Sequence, residues 1–168
     1  MLIAPPAALV KLFEPWTNYY NDSKLIETLV LFGHVGGLLV AGGIAVATDR
    51  STLRAASWSE HDRRHHLDER AVLHRTVIAG LVASFVSGLL LLTADLETFW
   101  ASWIFWVKMV FVAMLLANGA WMHGVENKLR VDSSATSPHW GSLRSTAVAS
   151  MTLWVTITLA GVALLNYA

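Results

Sequence analysis

The sequence predicts an all-α integral membrane protein built as a bundle of four membrane-spanning helices. Three observations predict it. Four apolar runs of about 20 residues recur along the 168-residue chain, the length that crosses a hydrocarbon core about 30 Å thick. Only 14% of the residues are charged and 55% are hydrophobic, whereas about 25% are charged in ordinary soluble domains. The basic residues, finally, gather in alternate connectors between the runs. One transmembrane domain then covers residues 1–168, with spans at about 25–48, 73–94, 99–125 and 146–167 and no room for a soluble domain.

Ahead of the first span, Leu9, Leu12, Phe13, Trp16 and Tyr20 fall at helical spacing. They predict a short amphipathic helix over about 7–20, lying on the membrane surface before the chain turns inward at Asn21-Asp22-Ser23. A cleavable signal peptide is not expected, because the start lacks a basic region and Pro5 and Pro6 interrupt it. The first span reads TLVLFGHVGGLLVAGGIAVAT from Thr28 to Thr48. The connector that follows holds SEHDRRHHLDER, good helix formers behind an N-cap at Ser59. It should extend the second span (TVIAGLVASFVSGLLLLTA, from Thr76) or lie along the headgroups as a solvated charged helix. A tight turn at Asp95-Leu96-Glu97-Thr98 makes the second and third spans antiparallel neighbours. The third span runs from Phe99 to Val125, and the fourth, from Thr146 to Ala168, carries no charge. Ser, Thr, Pro and Gly between Val131 and Ser145 predict an irregular connector.

Arg50, Arg54, Arg63, Arg64, Arg70 and Arg75 lie between the first two spans, and Lys128, Arg130 and Arg144 between the last two. The other side has only Lys11 and Lys24. The positive-inside rule therefore puts both basic connectors in the cytoplasm and both termini outside. Net charge is zero, and no nucleic-acid partner is expected. The absence of cysteine excludes disulfides, thiolate metal sites, cysteine-ligated iron–sulfur clusters and thioether-attached haem. No phosphate-binding glycine loop, nucleophile elbow or intramembrane carboxylate pair is present.

Two ionisable side chains interrupt the apolar runs. His34 lies about nine residues inside the first span and Lys108 about nine residues inside the third, or roughly 14 Å at 1.5 Å per residue. Both spans start from the outside, so the two residues share a depth. Such groups are costly in hydrocarbon unless paired, ligated or hydrated, which makes them functional candidates. Around His34 the residues Gly33, Gly36, Gly37, Ala41, Gly42 and Gly43 are small. Small residues serve close helix packing, or they leave room for a flat macrocycle beside the histidine; the two readings are compatible. Lys108 can snorkel toward the headgroups or pair with a propionate, a quinone oxygen or an acidic substrate. Glu27 is an available acidic partner at shallower depth.

A second pair lies deeper toward the cytoplasm. Counted from the turn near Leu96, His74 and His123 are about 22 and 27 residues away, a difference in rise of about 7 Å. Facing histidines on neighbouring helices are a common way to hold a b-type haem in a bundle; near the headgroups they can equally be solvated. Asn118 can bridge helices or hydrogen-bond a cofactor. His61, His65 and His66 lie in the charged connector, where a solvated helix explains them and a divalent metal is the rarer alternative.

The stretches LIETLVLFGHVGGLLVAGGIAVATDRSTLR and SGLLLLTADLETFWASWIFWVKMVFVAMLLANGAWMH resemble small bacterial four-helix inner-membrane proteins of unknown function. More distantly the chain is similar to the CopD copper-resistance family and to HemJ-type protoporphyrinogen oxidase, which pair a first-helix histidine with a third-helix lysine. The resemblance covers about residues 9–125. It implies that His34 and Lys108 stand at the His and Lys of the HemJ pattern, whose members bind haem b. The long, His-rich connector departs from that pattern, and protoporphyrinogen oxidation is not carried over.

The expectation is therefore a multi-pass protein of a bacterial inner membrane that binds a b-type haem for electron transfer or redox chemistry. His34 is the first candidate iron ligand and His74 and His123 are the next, with Lys108 and Asn118 as further cofactor contacts. Membrane lipid, a quinone or another membrane redox protein are the expected partners; if the chain is an enzyme, it is an oxidoreductase. The rival expectation is a non-catalytic subunit of a larger membrane complex.

Overall fold

Prolines at positions 5 and 6 cannot donate backbone hydrogen bonds, and the first helix, α1 (Ala7–Asp22), starts immediately after them. The computed structural model describes residues 4–55, 58–131, 134 and 137–167, and the regular structure among them is wholly helical. After α1 come α2 (Lys24–Arg54), α3 (Glu60–Ala94), the short α4 (Leu96–Ala101), α5 (Trp103–Val131) and α6 (His139–Tyr167). α2, α3, α5 and α6 are each long and apolar enough to cross a membrane. Their outer faces carry exposed Phe32, Leu39, Val155 and Leu165, an apolar surface suited to lipid contact.

The helix boundaries follow local chemistry. Ser23 separates α1 from α2, its hydroxyl accepting from the Ile26 N–H. Ser59 caps α3 in the same way, accepting from the Asp62 N–H at 3.2 Å. The charged stretch and the second span are thus one continuous helix. The turn at Asp95–Thr98 holds more structure than expected: Asp95 Oδ1 accepts from the Thr98 N–H, and α4 forms before a break at Ser102. α6 also begins earlier than expected, at His139. Asp132, Ser133, Ala135 and Thr136 of the preceding connector, with Ala168, lie outside the described residues.

Packing is unequal around the bundle. α2 packs along α3, α5 along α6, and α2 against α6, whereas α3 and α5 touch only sparsely. The second and third spans are therefore joined in sequence but poorly joined in space. Glycine explains the tight α2–α3 seam. A Cβ added at Gly37 would stand 2.6 Å from the Gly80 carbonyl oxygen, and one at Gly80 would stand 2.8 Å from the Gly37 oxygen. The small-residue stripe of α2 is thus occupied by α3, and Gly42 seats the Trp154 ring of α6 in the same manner.

α1 is pinned to the far end of α3, where Trp16 Nε1 donates to the Leu90 oxygen at 3.0 Å and Thr17 Oγ1 to the Thr93 oxygen at 3.2 Å. Trp16→Phe keeps the ring and removes the donor, at an expected cost of about 1 kcal/mol to this local contact. Limited proteolysis within α1 is expected to accelerate while the four long helices keep their circular dichroism.

A candidate ligand cavity between α3 and α5

At the end of the bundle that carries the basic connectors, the long helices continue past their apolar runs and bring charge inside. Asp49 on α2, Arg70 on α3 and Glu126 on α5 are 2%, 7% and 6% exposed. Arg70 lies at their centre. Its Nε donates to Glu126 Oε1 at 2.5 Å, and one terminal nitrogen donates to Thr52 Oγ1 at 2.8 Å and Asp49 Oδ1 at 3.3 Å. The other donates to the Met122 sulfur at 2.7 Å. Thr52 Oγ1 lies 2.9 Å from His66 Nε2, and the His66 ring meets the Trp58 ring edge-on. Three long helices are tied together by one guanidinium.

The charged connector is therefore not a uniformly solvated helix. Arg63, His66, Leu67 and Arg70 turn one face of α3 inward, while Arg64 and His65 face outward and pair with Glu60 and Glu69. No group of three or more His, Asp or Glu that could hold a metal ion occurs among the described residues.

Next to this cluster lies a cavity of about 320 Å³. Asp49, Arg70 and Glu126 form its polar end, and Ala45, Val77, Leu81, Leu115 and Trp154 give it apolar walls. It sits behind the sparse α3–α5 contact. Ile78 and Leu116, which line it, are also exposed on the outer apolar surface, so the cavity reaches the side of the bundle. A side opening on an apolar face suits a ligand that arrives through lipid.

His74, His123 and Asn118 all line this cavity. The His74 and His123 rings face each other across the α3–α5 gap, with centroids 5.5 Å apart and planes 10° from parallel. His123 is exposed and His74 half-buried, which puts the pair at the cavity's outer edge. Asn118 Nδ2 donates to the Thr146 oxygen at 3.0 Å and bridges α5 to α6.

His34 and Lys108 lie elsewhere. His34 Nδ1 donates to the Ser84 oxygen of α3 at 2.8 Å, leaving Nε2 as the acceptor of the ring. The ring edge fills the space over Gly88, where an added Cβ would stand 3.1 Å from Cε1. Lys108 points at α6, with Nζ 3.6 Å from the place of a Gly161 Cβ and no hydrogen bond or ion pair among the described residues. Glu27, the acidic candidate nearby, pairs with Lys24 at 2.7 Å. Neither His34 nor Lys108 lines the cavity.

The members of the cluster that sequence reasoning missed are Asp49, Arg70 and Glu126. A signal for them exists: Arg70 lies four residues from both His66 and His74, and Glu126 lies four from Met122 and three from His123, all on common helix faces. No family model matches the chain, and no curated protein or solved structure matches it.

Proposed function

We propose that the chain is a bacterial inner-membrane protein that binds a b-type haem through His74 and His123 and serves redox exchange with a lipid-soluble partner. The observation that carries this reading is the pair of near-parallel imidazoles on two helices that otherwise scarcely touch. Imidazole nitrogens bind a metal ion at about 2 Å along the ring plane, so the two side chains would rotate from their stacked arrangement to hold one iron. Their 5.5 Å centroid separation keeps both side chains within reach of one such ion. Apolar Val77, Ile78, Leu115 and Leu116 flank the pair and supply burial for a macrocycle. Asn118 supplies a polar contact in the same cavity, and the resemblance of the chain to haem-binding four-helix proteins favours the same cofactor. A haem bound there supplies one-electron chemistry; the chain supplies ligation, exclusion of water and the fixed charges of the nearby buried cluster.

The same reading places the connectors at the Arg70 end in the cytoplasm, because that end holds most of the Lys and Arg. Both termini then lie outside, and α1 rests on the outer surface through its apolar stripe.

The test is the absorbance spectrum of the detergent-purified protein before and after dithionite. A Soret band with sharp reduced bands is expected, lost in His74→Ala and in His123→Ala and retained in His34→Ala. Loss in His34→Ala alone would move the ligand to α2. A colourless, folded wild-type protein would overturn the haem reading.

A further inference from the structure

Asp49 is the least exposed charged side chain among the described residues. One carboxylate oxygen faces Arg70 at 3.3 Å; the other, Oδ2, is buried and makes no well-formed hydrogen bond among the described residues, with the neutral Ser150 hydroxyl beside the carboxylate. Arg70 itself is committed, since four of its five N–H groups already have acceptors and its shortest contact, 2.5 Å, goes to Glu126. Two carboxylates, Asp49 and Glu126, therefore share one guanidinium, and the polar end of the cavity carries an excess of negative charge. A buried carboxylate oxygen without a donor is unfavourable, and a donor or cation from elsewhere relieves it.

The surroundings restrict what that donor can be. A hydrated divalent ion needs several oxygen ligands, and the Arg70 guanidinium occupies one side of Asp49. An anion would meet two carboxylates. Apart from Thr48, Asn118, Ser150 and the His74–His123 pair at its edge, the rest of the cavity is apolar, from Val77 and Leu81 to Leu115 and the Trp154 ring, and it opens sideways between α3 and α5. A fitting ligand therefore has a small cationic donor on an apolar body and partitions into lipid.

We propose that this cavity is a binding site for a lipid-soluble protonated amine, whose ammonium group donates to Asp49 Oδ2 while its apolar chain lies against Val77, Leu81, Leu115 and Trp154. The site goes beyond the haem reading and does not need it; because Val77 and Leu115 also flank the imidazole pair, haem and amine would compete for this cavity, and binding is measured on haem-free protein. Its anchor is on α2, deeper than the imidazole pair at the cavity's edge.

The experiment measures binding of radiolabelled dodecylamine and of dodecanol to the full chain in lipid nanodiscs, with empty discs subtracted. The amine is expected to bind at least about tenfold more tightly than the alcohol of equal chain length, and Asp49→Asn to lose about that factor. Equal binding of amine and alcohol overturns the proposal, because a proton then neutralises Asp49 instead of a ligand. Unchanged amine binding in a folded Asp49→Asn protein overturns it as well. Should Asp49→Asn fail to fold, the comparison of amine with alcohol on the wild-type chain decides. A colourless protein that binds the amine overturns the haem reading alone. A protein that binds haem when supplied with it, but in its haem-free form treats amine and alcohol alike, overturns this proposal alone.

Discussion

Arg70→Ala is expected to cost about 3–5 kcal/mol, enough to remove most of the folded protein from detergent extracts. The magnitude follows from what is left behind. Without the guanidinium, Asp49 and Glu126 face each other's charge in an interior where both are less than a tenth exposed. Thr52 and the Met122 sulfur also lose their donor. Arg70→Lys should recover only part of the loss, because one ammonium cannot reproduce the fork that serves α2 and α5 at once. Thermal unfolding followed by tryptophan fluorescence measures the effect. A melting temperature for Arg70→Ala equal to that of the wild type would show that the two carboxylates are neutralised without it.

The second large effect is expected at Gly37. In Gly37→Ala the new methyl would meet backbone atoms of α3 on two sides, Gly80 O at 2.6 Å and Ser84 N at 2.8 Å. Backbone cannot step aside as a side chain can, so the helices must separate. The expected cost is roughly 2–3 kcal/mol. The His34–Ser84 hydrogen bond crosses the same seam and should weaken with it. Gly43 is the internal control. It is helical too, but an added Cβ there meets nothing within 4 Å. Gly43→Ala should be neutral or stabilise by up to about 1 kcal/mol through helix propensity. Parallel melting curves of the two variants separate seam packing from propensity, and equal shifts would contradict the packing account.

Much of the architecture was legible in the chain because a bilayer imposes length: an apolar run either reaches across or it does not. Ser59 was readable as a cap because its hydroxyl and the helix formers behind it are local. His74 and His123 could be paired on paper by counting outward from the turn at Leu96. The charged cluster was not readable this way. Counting apolar residues ends a helix where charge begins, yet α2 continues through Asp49 and Thr52, and α5 reaches past Glu126. Buried charge is affordable there only because Arg70 meets both acids, a three-helix coincidence that no single stretch records. The glycines beside His34 left two outcomes open for a related reason. Small residues show that something approaches closely; only the assembled bundle shows that it is α3.

The unequal packing of the four long helices has a mechanical consequence. α2 with α3 and α5 with α6 form two leaves, bound along a spine where α2 meets α6, and the sparse α3–α5 edge is the side on which the book opens. Each leaf is made of helices consecutive in the chain, so the α2–α3 leaf can close during membrane insertion before α5 and α6 exist. Parting the leaves for a guest disturbs few contacts along the free edge and leaves the spine intact.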